Sequence, residues 1–194
     1  MKKIVVGITG ASGSILAKNL IINLLRLGNE VNLISTDKGK EVFKFELDES
    51  IDSFFKNCDL FPGKLISHDN NDMFSKLASG SSDIDAVVVI PCSMSTLGKI
   101  ANCISDSLLI RTADVALKER KPLIIVARET PISSIHLENM LKLTNAGGVV
   151  MPPLVSYYNK PETIEESVDI FVGRLMRFIG IENQLHRTWG SSNE

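Results

Sequence analysis

The chain is short of cysteine, of tryptophan and of any long apolar run, and each shortage removes a class of protein. Cys58, Cys92 and Cys103 are odd in number and show no CxxC spacing. That disfavours a disulfide framework and a zinc site, and it suits a reducing compartment. No stretch reaches membrane-spanning length, and the apolar run after Met1-Lys2-Lys3 is too short for a signal peptide. A net charge of −2, from 21 basic and 23 acidic residues, gives no broad field for nucleic acid or an anionic membrane. Any anion must therefore be held by local clusters. What is present is ordinary globular composition: 194 residues, 44% hydrophobic and 23% charged, enough for one sizeable α/β domain with a full core. The expectation is a cytoplasmic protein with neither membrane nor nucleic acid as partner.

Apolar runs bounded by glycine or polar residues predict buried strands at Ile4–Ile8, Val31–Ser35, Lys64–Ser67, Ala86–Ile90, Leu123–Ala127 and Gly148–Met151. Between them, helical spacing runs from Ile15 to Leu25, stopping at Gly28, and recurs at Asp37–Phe45, Asp72–Ala78, Asp106–Glu119, Ser134–Asn145 and Glu162–Ile179. A further helix is expected to start near Leu97. Strands alternating with helices imply right-handed crossovers and a three-layer αβα sandwich with a Rossmann-like, mostly parallel sheet. One domain is expected over 1–180, followed by a short polar tail over 181–194 that carries the single tryptophan, Trp189. Tryptophan is enriched at interfaces, so the tail is expected to pack against another subunit.

Ligands of such sheets gather at the carboxyl ends of the strands. Gly10–Gly13 follows the first strand, Ser35 ends the second, Pro91–Thr96 follows the fourth and Arg128-Glu129 follows the fifth. The first turn, Gly7-Ile-Thr-Gly10-Ala-Ser-Gly13, can aim backbone N–H groups at an anion. It is neither the GxGxxG dinucleotide fingerprint nor a Walker A loop, which needs a lysine. The second strand ends in Ser35 and Thr36 before Asp37, so a mononucleotide fits better than NAD, with Asp37 keeping NAD open. The hydroxyls of Ser93, Ser95 and Thr96 can cap the helix that follows or form a second phosphate cradle. Arg111 and Lys118, seven apart, project from one helix face, where a solvated role is ordinary. Arg128 is harder to dismiss, because it follows an apolar strand directly. Glu129 beside it can pair with it, or can hand a proton to a leaving phosphate.

These residues together resemble the UbiX-type flavin prenyltransferase family over nearly the whole chain. The resemblance is carried by Thr9-Gly-Ala-Ser-Gly13, Ala78-Ser-Gly-Ser-Ser82, Pro91-Cys-Ser-Met-Ser-Thr-Leu97 and Ala113-Asp-Val-Ala-Leu-Lys-Glu-Arg120. It continues through Arg128-Glu-Thr-Pro131, Ile135-His-Leu-Glu-Asn-Met-Leu141 and Tyr158-Asn-Lys-Pro161. The family implies FMN binding by Gly10, Ala11, Ser12, Ser35, Ser93, Met94, Ser95, Thr96 and Arg128. It implies an isoprenoid-phosphate site of Ser79, Arg111, Lys118, Arg128, Glu129, Tyr158 and Arg174. Members are expected to use dimethylallyl monophosphate without metal and to assemble as dodecamers with active sites at subunit interfaces. Their product goes to a UbiD-type decarboxylase.

The chemistry that the resemblance implies begins with reduced flavin attacking the allylic carbon through N5, after which C6 closes a fourth ring. Fixed cations stabilise the departing phosphate. Ser12, Glu46, Glu129 and Lys118 are the expected catalytic residues, with Glu46 and the Ser12 hydroxyl handling the proton of ring closure. Three side chains have ordinary alternatives: surface packing for Tyr158, exposure for Arg174 and packing or helix capping for His136. Two competing readings are an FMN-dependent cysteine decarboxylase of related fold and a non-catalytic subunit of a hydroxyaryl-acid decarboxylase. The segment Asp48–Asp69 departs from the family pattern without touching an assigned position.

Overall fold

Six strands form one sheet, and every pairing in it is parallel. They are β1 (Lys3–Ile8), β2 (Glu30–Ser35), β3 (Lys64–His68), β4 (Ala86–Cys92), β5 (Leu123–Ala127) and β6 (Val149–Val150), in spatial order β3-β2-β1-β4-β5-β6. In this computed structural model the described residues are 1–185. β4 and β5 are buried from end to end, which is why they read as unbroken apolar runs rather than alternating ones. The order reverses between β1 and β4, which places the ligand crevice above the carboxyl ends of that pair.

Helices cover both faces. α1 (Ser14–Arg26) lies on β1, β2 and β4, presenting Leu20, Ile21, Leu24 and Leu25. α2 (Asp37–Leu47) and α3 (Ile51–Asn57) follow β2, with α2 packed on α1. On the opposite face α4 (Met94–Ala101), α5 (Leu108–Lys118) and α6 (Ser134–Asn145) bury Leu97, Ile100, Leu108, Leu109 and Leu143 against Val5, Val87, Val89, Leu123 and Ile125. A second compact unit begins at Pro153 and contains α7 (Ile164–Phe178), whose N-cap Thr163 accepts a hydrogen bond from the Glu166 amide. The first unit is Met1–Pro152. Most of the expected tail, Trp189 included, lies outside the described residues.

Two local expectations need correction. Asp72–Ala78 is not an α-helix; only a 3-10 turn at Lys76–Ala78 forms. Its polar side chains take the backbone donors that a helix needs: Asp69 accepts from Asn71 N, Asp72 from Phe74 N and Ser75 from Leu77 N. Conversely α3 carries no sequence signal that separates it from a loop. It has seven residues, of which Ile51 and Phe54 are buried, and Ser50 caps it.

Candidate active site

The carboxyl edge of the sheet is tied together by Thr9, a buried residue just past β1. Its hydroxyl donates to Pro91 O at 2.8 Å and accepts from Ser93 N at 2.9 Å. Arg128 N donates to Cys92 O and Thr36 N to Ile8 O, so the ends of β1, β2, β4 and β5 are stitched side by side. The sequence offered Thr9 only as part of a glycine turn, and its bracing role depends on a partner 84 residues away. Thr9→Val should cost about 1–3 kcal/mol of stability, because it leaves the Ser93 N–H buried without an acceptor. Urea unfolding measures this directly.

At the start of α4 the Ser93 hydroxyl accepts from Thr96 N at 3.3 Å. It also lies 3.1 Å from the Ser95 hydroxyl and donates to Thr96 Oγ1 at 3.0 Å. Capping and a polar cradle are therefore the same structure here. Ser95 is exposed, whereas Met94 points into the core and can offer a ligand only its backbone. Ser35, at the end of β2, is buried, and its Oγ has no hydrogen-bond partner among the described residues. An orphaned buried hydroxyl at a ligand edge fits a polar ligand that supplies the missing partner. Ala11 is buried beside the exposed Gly10 and Ser12. Arg128 is exposed and forms no ion pair among the described residues, while Glu129 accepts from Thr130 N at 3.0 Å instead of pairing with it.

Glu46 occupies a position that no local spacing announces. The last turn of α2 carries its carboxylate onto the start of α1, where it accepts from Ser14 N at 2.7 Å and Gly13 N at 3.0 Å. Gly13 is the N-cap and has no side chain to do this itself. Burial pushes the Glu46 carboxyl up, but the Ser12 hydroxyl and the Ser14 and Gly13 amides outweigh it and hold the pKa below its ordinary value. The Glu46 carboxylate thus favours its ionised form, held against the start of α1. The glycine turn consequently does not offer those two amides to a ligand phosphate, as its sequence alone suggested. Of the two ordinary roles expected of His136, packing or capping, it takes capping, in a capping box with Ser133 at the start of α6.

Within the first unit, the expected phosphate residues fall into two groups. Arg111, one turn inside α5, donates to Ala78 O at 3.1 Å and pairs with Asp114 at 2.8 Å. Lys118 ends α5 at the opposite, amino edge of the sheet, alongside the Ser79–Ser82 loop that leads into β4. β5, which separates Lys118 from Arg128, is five residues long, about 17 Å at ~3.3 Å per residue. Ser79, Arg111 and Lys118 form one group, and Ser12, Ser35, Glu46, Ser93–Thr96, Arg128 and Glu129 form another. Tyr158, in a 3-10 turn, and Arg174, exposed on α7, belong to the second unit.

A doubly covered parallel sheet defines an α/β protein, and the hydroxyl cradle, Ser35 and Arg128, which is without an ion pair among the described residues, line its carboxyl edge in a way that suits a phosphorylated ligand. The Flavoprotein family model matches residues 1–176. Flavin prenyltransferase UbiX of Methanocaldococcus jannaschii is 49% identical over 189 residues, covering 97% of this chain and 99% of the relative. A crystal structure of a UbiX protein in complex with FMN and dimethylallyl pyrophosphate superposes with a TM-score of 0.92 at 38% identity, covering 99% of both chains. A dodecameric FMN-dependent UbiX-like decarboxylase from Escherichia coli gives 0.89 at 37% identity, over 97% of this chain and 100% of that one. The chain belongs to the Flavoprotein family and, within it, to the UbiX flavin prenyltransferases. No helix among the described residues is long and apolar enough to cross a membrane.

Proposed function

We propose that the protein transfers the dimethylallyl group of dimethylallyl monophosphate to reduced FMN, bonding N5 first and then C6, and makes prenylated FMN for a UbiD-type decarboxylase. The observation that carries this reading is the unpaired Arg128 beside the Ser93–Thr96 cradle and the orphaned Ser35 hydroxyl, a donor set suited to a mononucleotide. Gly10, Ala11, Ser12 and Met94 complete the FMN site. Reduced flavin supplies the nucleophile. The chain's own residues supply charge, protons and shelter from water.

Ser79, Arg111, Lys118, Arg128, Glu129, Tyr158 and Arg174 are assigned to the donor phosphate. Several fixed cations can stabilise a departing phosphate without a metal ion. Glu129 delivers a proton to that phosphate; ring closure takes a proton from C6 and places one on the former alkene carbon, and the ionised Glu46 with the Ser12 hydroxyl relays it. Because Lys118 and Arg128 sit at opposite edges of one sheet, the assignment requires a second copy to bring its Lys118 to the flavin edge of the first. A homododecamer in the cytoplasm is the proposed working form.

Anaerobic incubation with dithionite-reduced FMN and dimethylallyl monophosphate should give a flavin heavier by one five-carbon unit, read by mass spectrometry. The pyrophosphate, run in parallel, tests donor preference. Unchanged flavin mass with folded, FMN-loaded protein and either donor would refute the proposal.

A further inference from the structure

Lys118, half exposed at the end of α5, has a partner. Its ammonium pairs with the carboxylate of Glu119, the next residue, although neighbouring side chains on a helix do not normally face each other. They meet because α5 ends here. Glu119 is the C-cap, and Arg120 follows in the left-handed region at φ 57°. Both tips then fold over the loop that leads into β4, and they do so at a glycine. A Cβ on Gly80 would lie 2.5 Å from Glu119 Oε1 and 2.6 Å from Lys118 Nζ. No side chain larger than hydrogen leaves both tips where they are.

The loop under them is held on either side of this contact. Arg111 grips Ala78 O, and Lys121 donates to Ser82 O at 2.8 Å and to Ile84 O at 2.7 Å. Between those grips the Ser79 hydroxyl lies 2.8 Å from the Ser81 hydroxyl and accepts from Ser81 N at 3.3 Å. Lys118 is therefore placed over a turn whose hydroxyls are already ordered. Two features set that placement: the Glu119 carboxylate that draws the ammonium over, and the empty space at Gly80 that admits it.

We propose that Glu119 and Gly80 are positioning residues for Lys118, holding its ammonium above the Ser79–Ser81 hydroxyls so that lysine and serine meet one phosphate together. This rests on the assignment of Ser79 and Lys118 to the donor phosphate made above. Glu119 itself touches neither flavin nor donor. Its charge acts through Lys118, and an uncharged residue of the same shape lets the ammonium swing into solvent.

The test is steady-state kinetics of flavin prenylation with Glu119→Gln, Glu119→Asp and Gly80→Ala, each also made in a Lys118→Ala background. Glu119→Gln should raise KM for dimethylallyl monophosphate about fivefold, the upper end of what one exposed ion pair supplies. Glu119→Asp should recover part of that loss. Gly80→Ala, which displaces both tips, should cost tenfold or more. FMN affinity, read by flavin fluorescence, should stay unchanged in all three, and in the Lys118→Ala background neither Glu119→Gln nor Gly80→Ala should cost anything further. A lowered KM in Glu119→Gln would mean that the glutamate competes with phosphate, and would overturn the proposal. So would wild-type KM in both Glu119→Gln and Gly80→Ala, or losses that persist without Lys118. A wild-type protein that never alkylates flavin would instead remove the proposed function, which separates the two failures.

Discussion

Glu46→Gln is expected to slow flavin prenylation by about 10²–10⁴-fold in single turnover, the range set by losing a general base. FMN affinity should move far less. The substitution is informative because the carboxylate does two things at once. Its Oε2 accepts from Gly13 N and Ser14 N, and a glutamine oxygen can still do that. What glutamine cannot do is take up a proton. The fold should survive, with a modest loss of stability where α1 exchanges a charged cap for a neutral one.

That stability loss has a defined pH dependence. The folded-state pKa of Glu46 is depressed, chiefly by the Ser12 hydroxyl and the Ser14 and Gly13 amides acting against burial. A depressed carboxyl contributes stability that is full above its unfolded pKa and is lost as pH falls through the folded one. Urea melts should therefore separate wild type from Glu46→Gln most widely at neutral pH, and the gap should close in acid below the ordinary carboxylate range. An equal gap at both ends would mean that the substitution acts through shape and not through charge. Wild-type turnover in Glu46→Gln would remove the residue from the proton path.

Lys118→Ala is expected to lower kcat/KM for dimethylallyl monophosphate by about 10²–10³-fold, the scale of one lost contact to a developing anion. FMN binding should be nearly unaffected, because Lys118 is assigned to the donor phosphate and not to the flavin. The separation of Lys118 from Arg128 along β5 predicts complementation. Arg128→Ala should also be inactive, yet oligomers containing both variant subunits should regain a fraction of wild-type activity wherever an intact amino edge meets an intact carboxyl edge. Two inactive variants that stay inactive when mixed within one oligomer would place Lys118 and Arg128 in different processes.

Much of this was readable from the chain, and the exceptions have physical reasons. The fully buried β4 and β5 announce themselves because both faces are covered, so no polar residue interrupts them. α6 matches its predicted bounds because Ser133 caps it and helical spacing continues to Asn145. α3 was missed because two turns with two buried residues carry too little periodicity. The Asp72–Ala78 stretch misled because apolar spacing says nothing of side chains that compete for backbone N–H groups. The bond from Glu46 to the start of α1 joins positions 32 apart and has no local signature. The division of the phosphate residues was legible in principle. A residue five positions before a parallel strand, as Lys118 is before Leu123, must sit at that strand's amino edge, whereas Arg128 directly follows the same strand. Motif matching alone discards that information.

In the proposed reaction, donor phosphate leaves only as the flavin is alkylated. Counting inorganic phosphate released against prenylated flavin formed, in one anaerobic reaction of the assembled protein, tests it most directly. One phosphate is expected for each flavin that gains the five-carbon unit. Phosphate released with no change in flavin mass would mean that water, and not the flavin, receives the dimethylallyl group, and would contradict it.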